Sequence, residues 1–353
     1  MQSAKVKVAI VGATGYTGQE LVRLLLRHPQ VEVNAVTSRS YVGKKLSDVF
    51  PSLRNNTALV CTDTELAALA KNNDFVFLAL PHGEAAGSVT KDVLNDCKII
   101  DLGADFRLES AAEYKQWYHL EHANPALIKD AVYGLCELNR DAIAGARLIA
   151  NPGCYATCSI LALAPVLKDA LIVPESIVID AKSGVSGAGR GLTLGSHFNE
   201  CNETIKAYAL ASHRHTPEIE QVLSHHSGGT IKLSFTPHLM PMNRGILVTA
   251  YATLQDGVDC AKVQAAYLAL YAHAQFVRVY DAEADAALPE TRWVKGSNYC
   301  DIGFRIDQRC NRIIVVAALD NLLKGAAGQA IQNMNIMSGF DESTALEELP
   351  IFP

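Results

Sequence analysis

This 353-residue chain has no long basic run, no cysteine pair at metal-ligand spacing and no extended apolar stretch. The net charge of −6 argues against a nucleic-acid surface, which needs a concentrated positive face. Nothing approaches the roughly eighteen uninterrupted apolar residues of a membrane-spanning helix. The opening MQSAKVKVAIVGATG runs straight into a strand-like segment, without the charged start, apolar core and cleavage site of a secretory signal. A cytoplasmic protein is the expectation. Nine cysteines, an odd count, lie scattered without CxxC or Cys/His spacing. That pattern argues against a disulfide framework and a zinc site, so no metal is expected.

What is present fits two globular domains, since nearly half the residues are apolar and about a fifth charged. Through residue 150, apolar strand-like runs (5–11, 31–38, 58–62, 74–80, 97–103) alternate with helix-like segments such as 15–28 and 84–95. Continuous apolar strands separated by helices predict a Rossmann-type, doubly wound parallel sheet covered on both faces. Beyond residue 150 a helix over 154–168 leads into 176–184, a Gly- and Ser-rich stretch (183–191), and longer, partly alternating strands at 231–239, 245–254 and 312–320. The expectation there is an α+β catalytic and oligomerisation domain with a mixed sheet. A last helix, 324–337, is expected to return to the first domain. The predicted division is therefore 1–152 with 325–353, and 153–324.

Directly after the first strand stands Gly12-Ala-Thr-Gly15-Tyr-Thr-Gly18, which opens a helix. Glycines in that place permit a tight turn and close backbone approach to a pyrophosphate, and the helix start supplies free N–H donors. A glycine triplet alone is weak evidence, because turns collect glycine. Its position between strand and helix makes it a dinucleotide site. The second strand ends in Thr37-Ser38-Arg39-Ser40 and carries no acidic residue for a ribose 2′-hydroxyl. A hydroxyl and a guanidinium there suit the 2′-phosphate of NADP, although Arg39 also reads as an ordinary loop charge.

Asn151-Pro-Gly-Cys154 turns an apolar strand into an apolar helix, with Cys154 at the helix start. Helix N-termini favour a thiolate, the form that attacks carbonyls. Cys158, one turn inside, reads as packing. A partner base is sought in His213-Arg-His215-Thr-Pro-Glu218, whose Thr-Pro-Glu grammar places both histidines on the approach to a helix. A proton donor beside a substrate oxygen would suit His213, and either ring also reads as a structural hydrogen-bonding group. Arg107, in Asp-Leu-Gly-Ala-Asp-Phe-Arg, and Ser183, Gly184 and Ser186 are candidates for an anion site, the latter as a nest of hydroxyls and backbone N–H groups.

Taken together, VGATGYTGQEL (11–21), LPHG (80–83), DLGADFRL (101–108), YGLCELNR (133–140), NPGCYAT (151–157), SGVSGAGRG (183–191), HRHTPEIEQ (213–221), TPHLMPMNRGI (236–246) and DNLLKGAAGQAIQNMN (320–335) span nearly the whole chain. They resemble the N-acetyl-γ-glutamyl-phosphate reductase family, related to aspartate-β-semialdehyde dehydrogenase and more distantly to glyceraldehyde-3-phosphate dehydrogenase. The resemblance implies Cys154 as nucleophile and His213 as acid/base, with His215 close by. It implies NADPH held by Gly12, Thr14, Gly15, Tyr16, Thr17 and Gly18, with Ser38 and Arg39 at the phosphate and Pro81 and Asn321 on the cofactor side. Arg107 looks like the arginine that meets the substrate phosphate in the related semialdehyde dehydrogenase. The implied partner is a small acyl phosphate, with no nucleic acid or membrane, and the implied assembly a homodimer or homotetramer. The implied reaction is reduction of N-acetyl-L-glutamyl 5-phosphate to the 5-semialdehyde through a cysteine thioester, in arginine biosynthesis. Rival readings are the same chemistry on an aminoadipyl or aspartyl phosphate, a cysteine hydrolase, and a non-catalytic NADP sensor.

Overall fold

The computed structural model describes residues 4–284 and 286–352; positions 1–3 and 353 of the predicted division lie outside the described residues. The chain forms two compact units, 4–152 with 326–347, and 153–325 with 348–352. The returning segment is thus shorter than 325–353. Residues 348–352 cluster with the second unit, where the Ile351 N–H donates to Lys295 O (2.8 Å) and Phe352 stacks on Trp293.

In the first unit seven strands form one sheet: β1 (Val6–Val11), β2 (Val31–Thr37), β3 (Cys61–Thr62), β4 (Phe75–Leu78), β5 (Lys98–Asp101), β6 (Ala131–Tyr133) and β7 (Leu148–Ala150). Their order is β3-β2-β1-β4-β5-β7-β6 and every pairing is parallel. The order reverses at β1, so chain ends leaving β1 and β4 diverge at the point where such sheets bind ligands. β4 is buried on both faces, as its unbroken Phe-Val-Phe-Leu run predicts. The short, half-buried β6 carries no such run, and the sequence did not reveal it. The returning helix Gly328–Ser338 is buried although rich in amides. Amide N–H groups on it are paired: Gln329 Nε2 and Asn333 Nδ2 both donate to Gly134 O at 2.8 Å. Buried polar groups are tolerated on that condition.

The second unit holds β8 (Val178–Gly184), β9 (Lys206–Ala207), β10 (Ser234–Met240), β11 (Ile246–Thr253), β12 (Val277–Val279), β13 (Cys300–Asp307) and β14 (Arg312–Leu319). They form a mixed sheet ordered β12-β13-β14-β11-β8-β10-β9, parallel at β8–β10 and β12–β13 and antiparallel elsewhere. The alternating burial of β11 shows one face packed and the other half-open. On the packed face lies the helix Cys154–Lys168, apolar nearly all round and buried nearly throughout. Pro165 inside it has no N–H for Leu161 O. The Tyr271 hydroxyl donates to that carbonyl at 2.5 Å, and the Tyr267 hydroxyl to Ala162 O at 2.6 Å.

Candidate active site

In the first unit, Gly12 and Gly18 are required by geometry. Gly12 has φ +80°, and a Cβ there would lie 2.3 Å from Ala79 O; a Cβ on Gly18 would lie 2.3 Å from Gly12 O. Gly15, in ordinary extended backbone before the helix Tyr16–Leu25, meets nothing closer than 3.6 Å. The turn is therefore pressed against β1, β4 and its own helix, leaving bare backbone and uncapped helix N–H groups, a cradle that fits a pyrophosphate. Thr14 Oγ1 and Ser38 Oγ lie 2.7 Å apart, and Ala13 N–H donates to Thr37 O, so the turn is fastened to the end of β2. Tyr16 is exposed and Thr17 half-buried at the helix start; Pro81 is exposed after β4. Arg39 is exposed but not a bare loop charge. Its Nη1 and Nη2 donate to Glu84 Oε1 and Oε2 at 3.0 and 2.6 Å.

In the second unit, Gly153 is extended (ψ 148°) and Cys154 begins the helix, half-buried. The Gly153 N–H donates to Glu218 Oε1 at 2.7 Å, from a carboxylate with no solvent exposure. Thr157 returns both its N–H (2.8 Å) and its Oγ1 (3.1 Å) to Gly153 O, so the first turn is held from both sides. A Cβ on Gly325 would lie 2.8 Å from Cys154 Cβ: Gly325, in the π-helical turn Leu323–Ala327, packs directly against Cys154. Cys158 is wholly buried and its thiol is pushed well up, by burial first and then by neighbouring Cys300, as suits inert packing.

His213 is enclosed by rings: Phe235 at 5.3 Å, Tyr155 and Tyr208 at 5.5 Å, His215 at 4.9 Å. Burial, then the Arg214 charge, bring its pKa down to about 4, so it is neutral at physiological pH. Tyr208 donates to Tyr155 Oη (3.3 Å), which donates to His238 O (3.2 Å). His238 itself faces Asp180, Nδ1 to Oδ1 at 3.0 Å.

Three of the candidate groups are held by partners of their own. Ser183, Gly184 and Ser186 do not form an open anion nest. The N–H groups of Gly184, Val185 and Ser186 are all donated to carbonyls of Gly245, Met242 and Asn243, and the Ser183 hydroxyl to Gly184 O. A Cβ on Gly184 would meet Asn243 O at 2.7 Å, so two turns are clamped together there. Asn321 is the bolt of that clamp: its Oδ1 accepts the Gly245 N–H (2.8 Å) and its Nδ2 donates to Ser186 Oγ (3.0 Å). Both ends of its amide are thus engaged within the second unit. Arg107 is buried, with Nε on Asn151 O (2.8 Å) and Nη2 on Leu102 O (2.9 Å). Buried Asp101, pushed up to about 7 by burial and then Asp105, lies beside it and helps retain the guanidinium. Arg107 thus braces the strand end before Pro152.

A family model described as semialdehyde dehydrogenase, NAD binding domain, matches residues 7–146; another, semialdehyde dehydrogenase, dimerisation domain, matches 154–321. An N-acetyl-gamma-glutamyl-phosphate reductase of Pelotomaculum thermopropionicum is 52% identical over 348 residues, covering 99% of each chain. The chain belongs to the N-acetyl-gamma-glutamyl-phosphate reductase family. The reductase of Desulfotalea psychrophila is likewise 52% identical, over 349 residues, covering 99% of this chain and 100% of its own. Among solved structures, aspartate semialdehyde dehydrogenase II of Vibrio cholerae, complexed with ASA, aligns with TM-score 0.72 at 18% identity, over 96% of this chain and 99% of that one. Such distant likeness bears on the fold alone, and it agrees with a parallel sheet followed by a mixed one. Among the described residues, no helix is long and apolar enough to cross a membrane.

Two residues that matter to this reductase-family site were missed from sequence. Glu218 was read only as part of a helix cap; its bond to Gly153 spans 65 positions and has no local signature. Gly325 did carry a signal, a glycine inside a helical pattern, which often marks close backbone approach. Gly325→Ala is expected to displace Cys154 and lower kcat/KM by about 10- to 100-fold, the effect of a misplacement near 1 Å. Steady-state kinetics beside the rate of thiol alkylation will check this; an unchanged kcat/KM would show that the π-helical turn yields freely.

Proposed function

We propose that this chain reduces N-acetyl-L-glutamyl 5-phosphate to N-acetyl-L-glutamate 5-semialdehyde with NADPH, in arginine biosynthesis, through a thioester on Cys154. The observation that carries the site assignment is the construction around Cys154: a half-buried thiol at the start of an apolar helix, its first turn braced by Glu218, Thr157 and Gly325. Backbone N–H groups at a helix start favour negative charge on sulfur. The Cys154 thiolate forms a bond to the acyl carbon and the C–O bond to phosphate breaks. NADPH, when bound, supplies the hydride that reduces the thioester. His213 serves the substrate oxygen, with His215 beside it. The first unit, with 326–347, is the cofactor unit, where Gly12–Gly18 holds the pyrophosphate and Ser38 and Arg39 lie at the 2′-phosphate. The second unit is catalytic and oligomerising. Large apolar side chains left exposed on it, Leu192, Leu194, Phe198, Ile205 and Leu210, support a homodimer or homotetramer. The proposed location is the cytoplasm.

The test is NADP⁺ reduction on adding N-acetylglutamate semialdehyde with phosphate. No reduction, or a higher kcat/KM with the aspartyl or aminoadipyl analogue, would overturn the substrate assignment. Arg39→Ala is expected to shrink the NADPH/NADH preference by about tenfold or more, through loss of a charge-assisted phosphate contact. Glu84 already neutralises Arg39 in the free protein, so the phosphate replaces one anion by another. An unchanged preference would confine Arg39 to its ion pair and leave discrimination to Ser38.

A further inference from the structure

His213 caps the helix His215–Ser227. Its ring Nδ1 accepts the His215 N–H at 3.1 Å while its carbonyl accepts the Thr216 N–H at 3.0 Å. A ring thus does what Ser, Thr, Asn or Asp usually does at a helix start. A backbone N–H only donates, so Nδ1 must present its lone pair, and a neutral imidazole with that lone pair carries its proton on Nε2. The chain contains two controls for this logic. His28 Nδ1 accepts the Gln30 N–H (3.2 Å), and His122 Nδ1 accepts the Asn124 N–H (3.1 Å). In both, Nε2 faces an acceptor: Asn335 Oδ1 at 3.0 Å and the Asp105 carbonyl at 2.6 Å. His213 makes the same bond from Nδ1 to the N–H two residues on, and its Nε2 makes no hydrogen bond among the described residues.

We propose that His213 serves the substrate oxygen as a neutral, tautomerically fixed Nε2–H donor that neither gains nor loses a proton during turnover. This rests on the reductase reading above, and it replaces the proton-exchanging role that the family resemblance implies for His213. Protonating Nδ1 would set two N–H groups against each other and open the helix cap. It would also place a cation inside the ring of Tyr155, Phe235 and Tyr208, next to Arg214. The titratable and charged groups around the ring are Arg214 and His215 at its own helix start, Cys154 and Tyr155 of the facing helix, and Tyr208 of the segment after β9. Burial holds both tyrosines above their ordinary range, Tyr208 at about 12, so neither exchanges protons near neutrality.

The reaction balances without a proton from His213. When the C–S bond forms and the C–O bond to phosphate breaks, the carbonyl π pair moves to oxygen and returns; the departing phosphate takes its proton from water. When the thioester carbon receives hydride, the π pair again moves to oxygen. The C=O bond then reforms as the C–S bond breaks and Cys154 leaves as thiolate. The oxygen becomes an anion twice and is never protonated. A fixed donor suffices, as in sites where a neutral imidazole polarises a carbonyl.

The test uses the full chain labelled with ¹⁵N-histidine, with the His213 ring assigned through bonds. The expected spectrum shows a neutral Nε2–H ring from pH 5.5 to 8.5; a ring that titrates near neutrality, or carries its proton on Nδ1, overturns the proposal. Kinetics give a second reading. In single-turnover reduction of the acyl-enzyme, His213→Gln, whose amide still donates, should be at least about tenfold faster than His213→Leu, which should lose roughly 10²–10³-fold. Equal losses in both, with a pH step between 6 and 8 present only in the wild type, would restore proton exchange. If no thioester forms at Cys154, the reductase reading fails while the tautomer remains measurable.

Discussion

Cys154→Ala is expected to lower turnover by at least about 10⁴-fold, whereas Cys158→Ala stays within about tenfold of wild type. The two cysteines are one helical turn apart, and the contrast is environmental. Cys154 is half-buried at the helix start, where N–H groups that lack intrahelical partners favour the thiolate. Cys158 has its carbonyl partner inside the helix, no solvent exposure and a thiol that burial holds protonated. Its removal should appear as lower thermal stability from a small cavity, about 1 kcal/mol or more. Quenched single-turnover samples analysed by mass for the acyl adduct will separate chemistry from folding. Turnover by the Cys154→Ala protein near the wild-type rate would end the thioester mechanism, and a dead Cys158→Ala protein with normal thermal stability would move the chemistry inward by one turn.

Gly18→Ala is expected to weaken NADPH binding by about thirtyfold or more and to lower the melting temperature. The added Cβ would stand 2.3 Å from Gly12 O and 2.8 Å from Ala13 Cα, both backbone atoms that no rotamer change can move. Overpacking of that kind costs about 1–3 kcal/mol. The relief available is to lift the 12–15 turn away from the helix, which separates the N–H donors from the pyrophosphate. Gly15→Ala is the matched control, since its Cβ meets nothing within 3.5 Å. Fluorescence titration with NADPH will decide: a Gly18→Ala protein that binds within twofold of wild type would mean that the turn moves without loss and the cradle is not where the affinity resides.

How far each feature was legible followed the range of the interaction behind it. Strands β1, β4 and β5 were read from their apolar cores, because burial on both faces of a parallel sheet leaves that trace in composition, and β2 from the apolar residues recurring at Val31, Val33, Ala35 and Val36. β6 is three half-buried residues, and β13 contains Asp301, Gly303 and Arg305, so neither shows such a run. Asp301 is nonetheless fully buried in β13, held by the guanidinium of Arg278, a pairing that only the folded sheet creates.

By itself the sequence determined the local chemistry: a glycine turn between strand and helix, a cysteine at a helix start, a histidine before another helix, and a hydroxyl with a guanidinium at the end of β2. Those depend on residue type and on neighbours within a few positions, which pattern and propensity encode. Only the tertiary structure decided what each polar group does with its donors and acceptors. Arg107, Asn321 and the 183–186 segment have the composition of anion- and cofactor-binding groups, yet they are engaged on Asn151, Gly245 and Asn243. Glu218 was unremarkable in the chain and became the brace of the turn that leads into Cys154. The physical reason is that a buried hydrogen-bonding group must be satisfied by whatever packing brings within about 3 Å, and that partner stands tens of residues away in sequence.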